Sequence, residues 1–203
     1  GECTASGSIL RESWEGVEGS RVSDIPLNSE PSGTSQLSIF EGPTNSGIHY
    51  GARIHGYIFP PESGDYTFWI ASNDHSELWL STDDDTNNKV RIAYVEGATG
   101  SRQWDKFASQ KSAAISLSAG QRYYIMALHK QGVGSDNLAV GWQLPNGTLE
   151  RPIAGARLSP FTEPSNIPPV VSLTSPEDGE IFTEPAEDHL RNQGARCMDC
   201  GVP

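Results

Sequence analysis

An all-β domain, built as an antiparallel β-sandwich, is what this 203-residue sequence predicts, on three observations. Short apolar–polar alternations of period two recur at intervals of roughly ten residues along the first three quarters of the chain. Glycine (21) and proline (14) are plentiful enough to punctuate those runs with turns. No long stretch carries the 3.6-residue period of an amphipathic helix, so helical layers are not expected.

The first strand is predicted over residues 8–16, where Ile9 and Leu10 lead to Trp14. A Ser/Pro/Gly-rich passage then runs from Asp24 to Gly47, interrupted by apolar Leu37, Ile39 and Phe40. Tyr50 to Phe59 reads as a strand with Ala52, Ile54, Gly56 and Ile58 on one face. Pro60-Pro61-Glu62-Ser63-Gly64-Asp65 is a turn into the next strand, where Tyr66, Phe68 and Ile70 alternate with their neighbours. After a short polar turn at Asn73-Asp74, Leu78 and Leu80 resume the pattern. Further strands are predicted at Lys89–Val95, Ala113–Ala119, Arg122–His129 and Leu138–Leu144, and Asn146-Gly147 is a hairpin turn that needs positive φ. The predicted domain covers residues 1–158, followed by a Pro/Ser/Thr linker over 159–169. Residues 170–203 begin as a short β segment, Val170 to Phe182, too little chain to complete a module, and end in an irregular tail; everything beyond Leu158 is expected to pack poorly unless it docks on the main domain.

The balance of 26 acidic against 14 basic residues, a formal net charge of −12, excludes a general attraction for phosphate backbones. Nucleic acid is therefore not an expected partner, and anionic membrane surfaces are disfavoured for the same reason. No apolar run approaches the roughly 20 residues needed to span a bilayer, so no membrane insertion is expected. Gly1-Glu2-Cys3 reads as a start left by processing. The cysteines are Cys3, Cys197 and Cys200, so the β-domain folds without an internal disulfide, and cysteine usage leaves the compartment open.

Two oxygen-rich turns carry the chemistry. Asn73-Asp74 sets an amide beside a carboxylate at the rim of a sheet, and Gln131-Gly-Val-Gly-Ser-Asp136-Asn137 follows another strand. Hard oxygen donors on a rigid support are what a Ca²⁺ ion requires. An ordinary Asx turn explains the same residues, because Asn and Asp side chains bond their own backbone in tight turns. Asp83-Asp84-Asp85 is denser in acid but has no EF-hand spacing and reads as a solvated turn. Trp142 shares a face with Leu138, Val140 and Leu144 and reads as core, whereas Trp104, in a long loop between Arg102 and Asp105, is the best exposed aromatic. His75 and His129 flank the two turns without the spacing of a transition-metal site. No nucleophile elbow, His-Glu-x-x-His or Walker loop is present.

The run Gly56-Tyr-Ile-Phe-Pro-Pro-Glu-Ser-Gly-Asp-Tyr-Thr-Phe-Trp-Ile-Ala-Ser-Asn-Asp74, followed by Glu77-Leu-Trp-Leu-Ser81, resembles the protective-antigen-type β-domain family. Gly120-Gln-Arg-Tyr-Tyr-Ile-Met-Ala-Leu-His-Lys130 and Leu138-Ala-Val-Gly-Trp142 fall where that family places them, and the resemblance covers residues 8–158. Yeast flocculins and lectin modules of bacterial adhesins belong to the same family. In its sugar-binding members two adjacent acidic residues in a strained turn hold Ca²⁺, which ligates vicinal sugar hydroxyls, and a later loop adds ligands and specificity.

By position the resemblance implies Asn73, Asp74, Gln131 and Asp136 as metal ligands, and His75, Asn137 and Trp104 as sugar contacts. An amide stands at Asn73 where the family has an acid, one negative charge fewer, which weakens such a site. The expectation is a Ca²⁺-dependent carbohydrate-binding, lectin-like module of a secreted or cell-surface protein, not an enzyme. The alternative is a spacer module of an adhesin in which any ion only stiffens the loops. Val170 to Phe182 resembles the start of a bacterial Ig-like module, and Gln193 to Pro203 resembles the amino-terminal cysteine region of the glutamate synthase small subunit. Its two thiolates do not complete a cluster or a zinc site.

Overall fold

The computed structural model describes residues 4–162. The expectations for the Ig-like segment and for the Cys197–Cys200 tail therefore lie outside the described residues. Among the described residues eleven strands succeed one another: β1 (Ile9–Trp14), β2 (Gly33–Leu37), β3 (Tyr50–Ile58), β4 (Gly64–Asn73), β5 (His75–Ser81), β6 (Lys89–Val95), β7 (Ile115–Leu117), β8 (Tyr123–Gln131), β9 (Asn137–Gln143), β10 (Leu149–Glu150) and β11 (Leu158–Pro160). They form two antiparallel sheets, a larger one in the order β2-β1-β3-β8-β5-β6 with β11 also on β3, and a smaller one in the order β10-β9-β4-β7. The predicted all-β sandwich is the observed fold class.

The period-two pattern explains the layering. Phe68 and Ile70 of β4, Ile54 and Ile58 of β3, Leu78 and Leu80 of β5, Ile125 and Ala127 of β8, and Val140 and Trp142 of β9 all point between the sheets into one core. Trp142, read from sequence as core, is fully buried and donates its indole N–H to Glu150 at 2.8 Å. A second, smaller core lies on the other face of the larger sheet, where Tyr124, Met126 and Leu128 of β8 meet Trp14, Val17, Val22 and Ile25. That is why β8 reads as an unbroken buried run: both of its faces are covered.

Three local differences from expectation have physical reasons. The Ala113–Ala119 strand shrinks to Ile115–Leu117, because it pairs only with Gly64–Tyr66 at the start of β4. The Ser-rich passage yields β2, which gains its ladder from β1 rather than from its own apolar content. Beyond Leu158 the chain continues as β11, paired with Ile58, Tyr57 and Gly56 of β3 along the edge that β1 leaves open. The Asn146-Gly147 turn behaves as predicted, with φ of 89° at Gly147 and Thr148 N–H bonded to Asn146 Oδ1 at 2.8 Å.

Candidate functional site

Chain crossings between the sheets build the site. β4 and β5 do not pair with each other; β4 lies in the smaller sheet and β5 in the larger, so Asn73-Asp74 is a corner between layers. β8 and β9 are divided in the same way, and residues 132–136 are their corner. A third crossing precedes β3: Gly42 N–H bonds Leu138 O beside the smaller sheet, whereas Tyr50 already pairs with Gln131 in the larger one. Because Asn73 pairs with Asn137, His75 with Lys130, and Tyr50 with Gln131, all three corners fall at one end of the sandwich.

The corners are bonded to one another. Asp74 Oδ2 accepts the Gly132 N–H at 2.9 Å, and the Asp74 N–H donates to Gln131 Oε1 at 3.0 Å. Asn73 Nδ2 reaches Ser135 Oγ at 3.2 Å, and Gln131 Nε2 reaches Ser135 O at 3.3 Å. The Asn73–Asp74 peptide is cis. Asp136 turns to the third corner, where its Oδ2 accepts from Ser46 N at 2.8 Å, Ser46 Oγ at 2.9 Å and Gly47 N at 3.1 Å. Below it, His129 is buried, donates Nε2–H to Asn73 O at 2.7 Å and meets the Tyr50 ring edge-on at 5.6 Å. Burial lowers the His129 pKa to about 4, against the opposing pull of the Asn73 carbonyl and of Asp136 and Asp74, so the ring is neutral at pH 7. Tyr50 is pushed up to about 12, by burial first.

Of the predicted ligands, Asn73, Asp74 and Gln131 come together directly, and Asp136 braces the neighbouring corner. Among the described residues no three acidic, histidine or cysteine side chains converge on one point. Any ion here would rest on few carboxylates and on amide and carbonyl oxygens. The donor chemistry fits a hard cation on that footing. All candidate donors are oxygens, and Oδ1 of Asp136 and Oδ1 of Asn137 are buried acceptors without a hydrogen-bond partner. Asn137 spends its Nδ2 on Thr99 O at 3.1 Å.

Of the predicted sugar contacts, His75 is the first residue of β5, beside the corner, and Trp104 lies in the loop between β6 and β7. There the Arg151 guanidinium lies 5.7 Å from the Trp104 ring and 5.0 Å from the Trp69 ring. The ring of Trp104 thus has Arg151 as a cation–π neighbour. The acidic triplet is used locally, as the solvated-turn reading expects: Asp83 and Asp85 accept from Asp85 N, Asn87 N and Asn88 Nδ2, and Asp84 pairs with Arg122 at 3.1 Å. Sequence reading missed the Ser46–Gly47 corner and the exposed aliphatics Ile48 and Val133 on neighbouring tips, where the His49 N–H bonds Gly132 O at 2.6 Å. The polar run Thr44-Asn45-Ser46-Gly47 just before β3 was the available signal, but it needs the β3–β8 pairing to acquire a place.

The chain belongs to the PA14 domain family, whose pattern matches residues 29–156. It is 42% identical over 127 residues to the Mus musculus N-acetyl-beta-glucosaminyl-glycoprotein 4-beta-N-acetylgalactosaminyltransferase 1, a match covering 59% of this chain and 12% of that protein. Fibrocystin of Canis lupus familiaris is 28% identical over 119 residues, covering 55% of this chain and 3% of that protein. The matches thus take in only a small part of these relatives' length. Among solved structures, a PA14 sugar-binding domain from an RTX adhesin aligns over 77% of this chain and all of its own, with a TM-score of 0.58 at 12% identity. The Epithelial Adhesin 9 A domain of Candida glabrata, solved with Galβ1-4GlcNAc, aligns over 80% of this chain and 93% of its own, with a TM-score of 0.58 at 14% identity. At such identities these structures show the fold.

Proposed function

We propose that this PA14 domain is a non-enzymatic, Ca²⁺-assisted carbohydrate-binding module of an extracellular or cell-surface protein. The observation that carries the reading is the convergence of Asn73, Asp74 and Gln131 at one corner, bonded to the 132–135 tip. Asn73, Asp74, Gln131 and Asp136 would hold the ion, which when bound supplies a Lewis-acidic clamp for vicinal sugar hydroxyls. The chain's own residues do the rest. Gly132 N–H fixes one oxygen of Asp74, Gln131 caps the Asp74 N–H, and Asp136 ties down the Ser46–Gly47 corner beside them. His129 anchors the Asn73 carbonyl from below.

The names of the relatives supply the glycans to try first. By its name the transferase acts on N-acetyl-β-glucosaminyl glycoproteins, and the matched adhesin domain is solved with Galβ1-4GlcNAc. Galactose- and N-acetylglucosamine-terminated glycans are therefore the ligands to try. Extracellular placement is supported by the adhesin origin of the matched folds.

The spacer reading keeps one observation in its favour: the donors largely satisfy one another without an ion, Asp74 through Gly132 and Gln131 through Asp74. Calorimetric titration of Ca²⁺ into chelator-stripped protein, then of sugars with and without the ion, separates the two. Ca²⁺-dependent heat from a sugar, lost in Asp74→Ala with folding intact, supports the lectin. Ca²⁺ binding that raises the melting temperature with no sugar response supports the spacer.

A further inference from the structure

The larger sheet carries a cleft of about 420 Å³ on its outward face. It is lined by Arg21 on one side and by a floor of the larger sheet, His75 and Glu77 of β5 with Arg91 and Tyr94 of β6, and Glu96 also lines it. Packing defects in protein interiors are smaller than this, and ligand sites run from about 300 to 1,000 Å³. The floor is rigid. Arg91 Nη1 donates to Glu77 Oε1 at 2.8 Å, Trp79 Nε1 donates to Glu77 Oε2 at 3.1 Å, and the Arg91 guanidinium stacks 4.5 Å above the Tyr94 ring.

The chemistry of the lining selects its occupant. Arg21 and Arg91 balance Glu77 and Glu96, so the cleft carries no net charge to attract a phosphate or a polyanion. It offers carboxylate acceptors, guanidinium donors, an imidazole and a half-buried phenol, closely spaced. A neutral ring bearing hydroxyls on every edge uses such a mixture, because each hydroxyl both donates and accepts. An aliphatic ligand would strip water from this polar lining and return no hydrogen bonds. The cleft also adjoins the corner. His75 follows Asp74 directly, and consecutive Cα atoms lie about 3.8 Å apart.

We infer that the cleft is a second saccharide subsite, distinct from the corner loops, which takes a further ring of a glycan whose terminal sugar sits at Asn73-Asp74. This rests on the carbohydrate reading above and extends it: the chain would select oligosaccharides of at least two rings over the matching monosaccharide.

The test compares binding of galactose, N-acetylglucosamine and Galβ1-4GlcNAc, in Ca²⁺, to the wild-type chain, to Asp74→Ala and to the double variant Arg21→Ala/Glu96→Ala, whose two residues line the cleft and not the corner. Arg21 and Glu96 are both exposed, and a melting curve confirms that the double variant folds. The expected result is disaccharide binding at least about tenfold tighter than either monosaccharide in the wild type, equivalent to about 1.4 kcal/mol. The double variant should lose that gain and keep monosaccharide affinity, and Asp74→Ala should lose both. As a second readout, Galβ1-4GlcNAc but not a monosaccharide should shift the Tyr94 ring resonances. A disaccharide gain that survives the double variant, or no gain at all, overturns the subsite and leaves the carbohydrate reading intact. Failure of all three sugars, and of a wider glycan panel, overturns both together.

Discussion

Replacing Asp136 with alanine tests whether the third corner is held by one carboxylate. Its Oδ2 accepts three hydrogen bonds, from Ser46 N, Ser46 Oγ and Gly47 N, while the residue itself is 2% exposed. Hydrogen bonds to a charged group contribute about 1.5–3 kcal/mol each. The three are not independent, and Ser46 and Gly47 are exposed, so water recovers part of the loss. A net cost of about 3 kcal/mol follows. In a chain of this size each kcal/mol lowers the melting temperature by about 2–4 °C, so Asp136→Ala should melt about 6–12 °C below wild type. Asp136→Asn keeps an acceptor without the charge and should lose only about a third as much. The assay is calorimetric or fluorescence melting in EDTA and again in Ca²⁺. Under the proposed function, Asp136→Ala should also forfeit any Ca²⁺-induced rise in melting temperature. Melting within about 2 °C of wild type in EDTA would refute the anchoring argument, because it would mean the corner closes without those bonds.

Acid should destabilise the fold through its buried imidazoles. His129 and His55 are both lowered from 6.5 to about 4, by burial first, so between those values the unfolded chain binds more protons. Stability is complete above pH 6.5 and is lost as pH falls towards 4, by up to about 3 kcal/mol for each ring; an NMR titration of either imidazole with a midpoint near 6.5 would contradict this. Gly56→Ala would drive a methyl into the Ser159 carbonyl oxygen and should detach β11, opening a tryptic cut after Arg157 that the wild type resists. Gln131→Ala leaves the part-buried Asp74 N–H without its acceptor, costing about 1–2 kcal/mol in urea denaturation and weakening any Ca²⁺ response.

Legibility in the sequence followed the range of the interaction. Strands with a sustained period-two run of large apolar residues announced themselves: β3, β4, β6 and β9 lie where alternation placed them, to within two residues. The three-residue β7 was overextended, because alternation continues past the point where its partner β4 begins. Asn73, Asp74 and Gln131 could be singled out because oxygen-bearing side chains in turns after apolar strands are a local pattern. That Gln131 is fully buried and spends its amide on the Asp74 N–H and on Ser135 is not a local property.

What the sequence by itself determined is therefore the class of fold, the core face of each strand and the chemical nature of the corner residues, all of which depend on neighbours a few positions away. The tertiary structure alone decided which corners meet. Residues 46, 74 and 132 share one end of the sandwich because β3, β5 and β8 pair in one sheet while β4 and β9 pair in the other. It also drew Trp104 towards Arg151 and opened the cleft between Arg21 and Tyr94. Those outcomes depend on pairing between segments tens of residues apart, whose register is set by the burial of whole faces and leaves no mark at any single position.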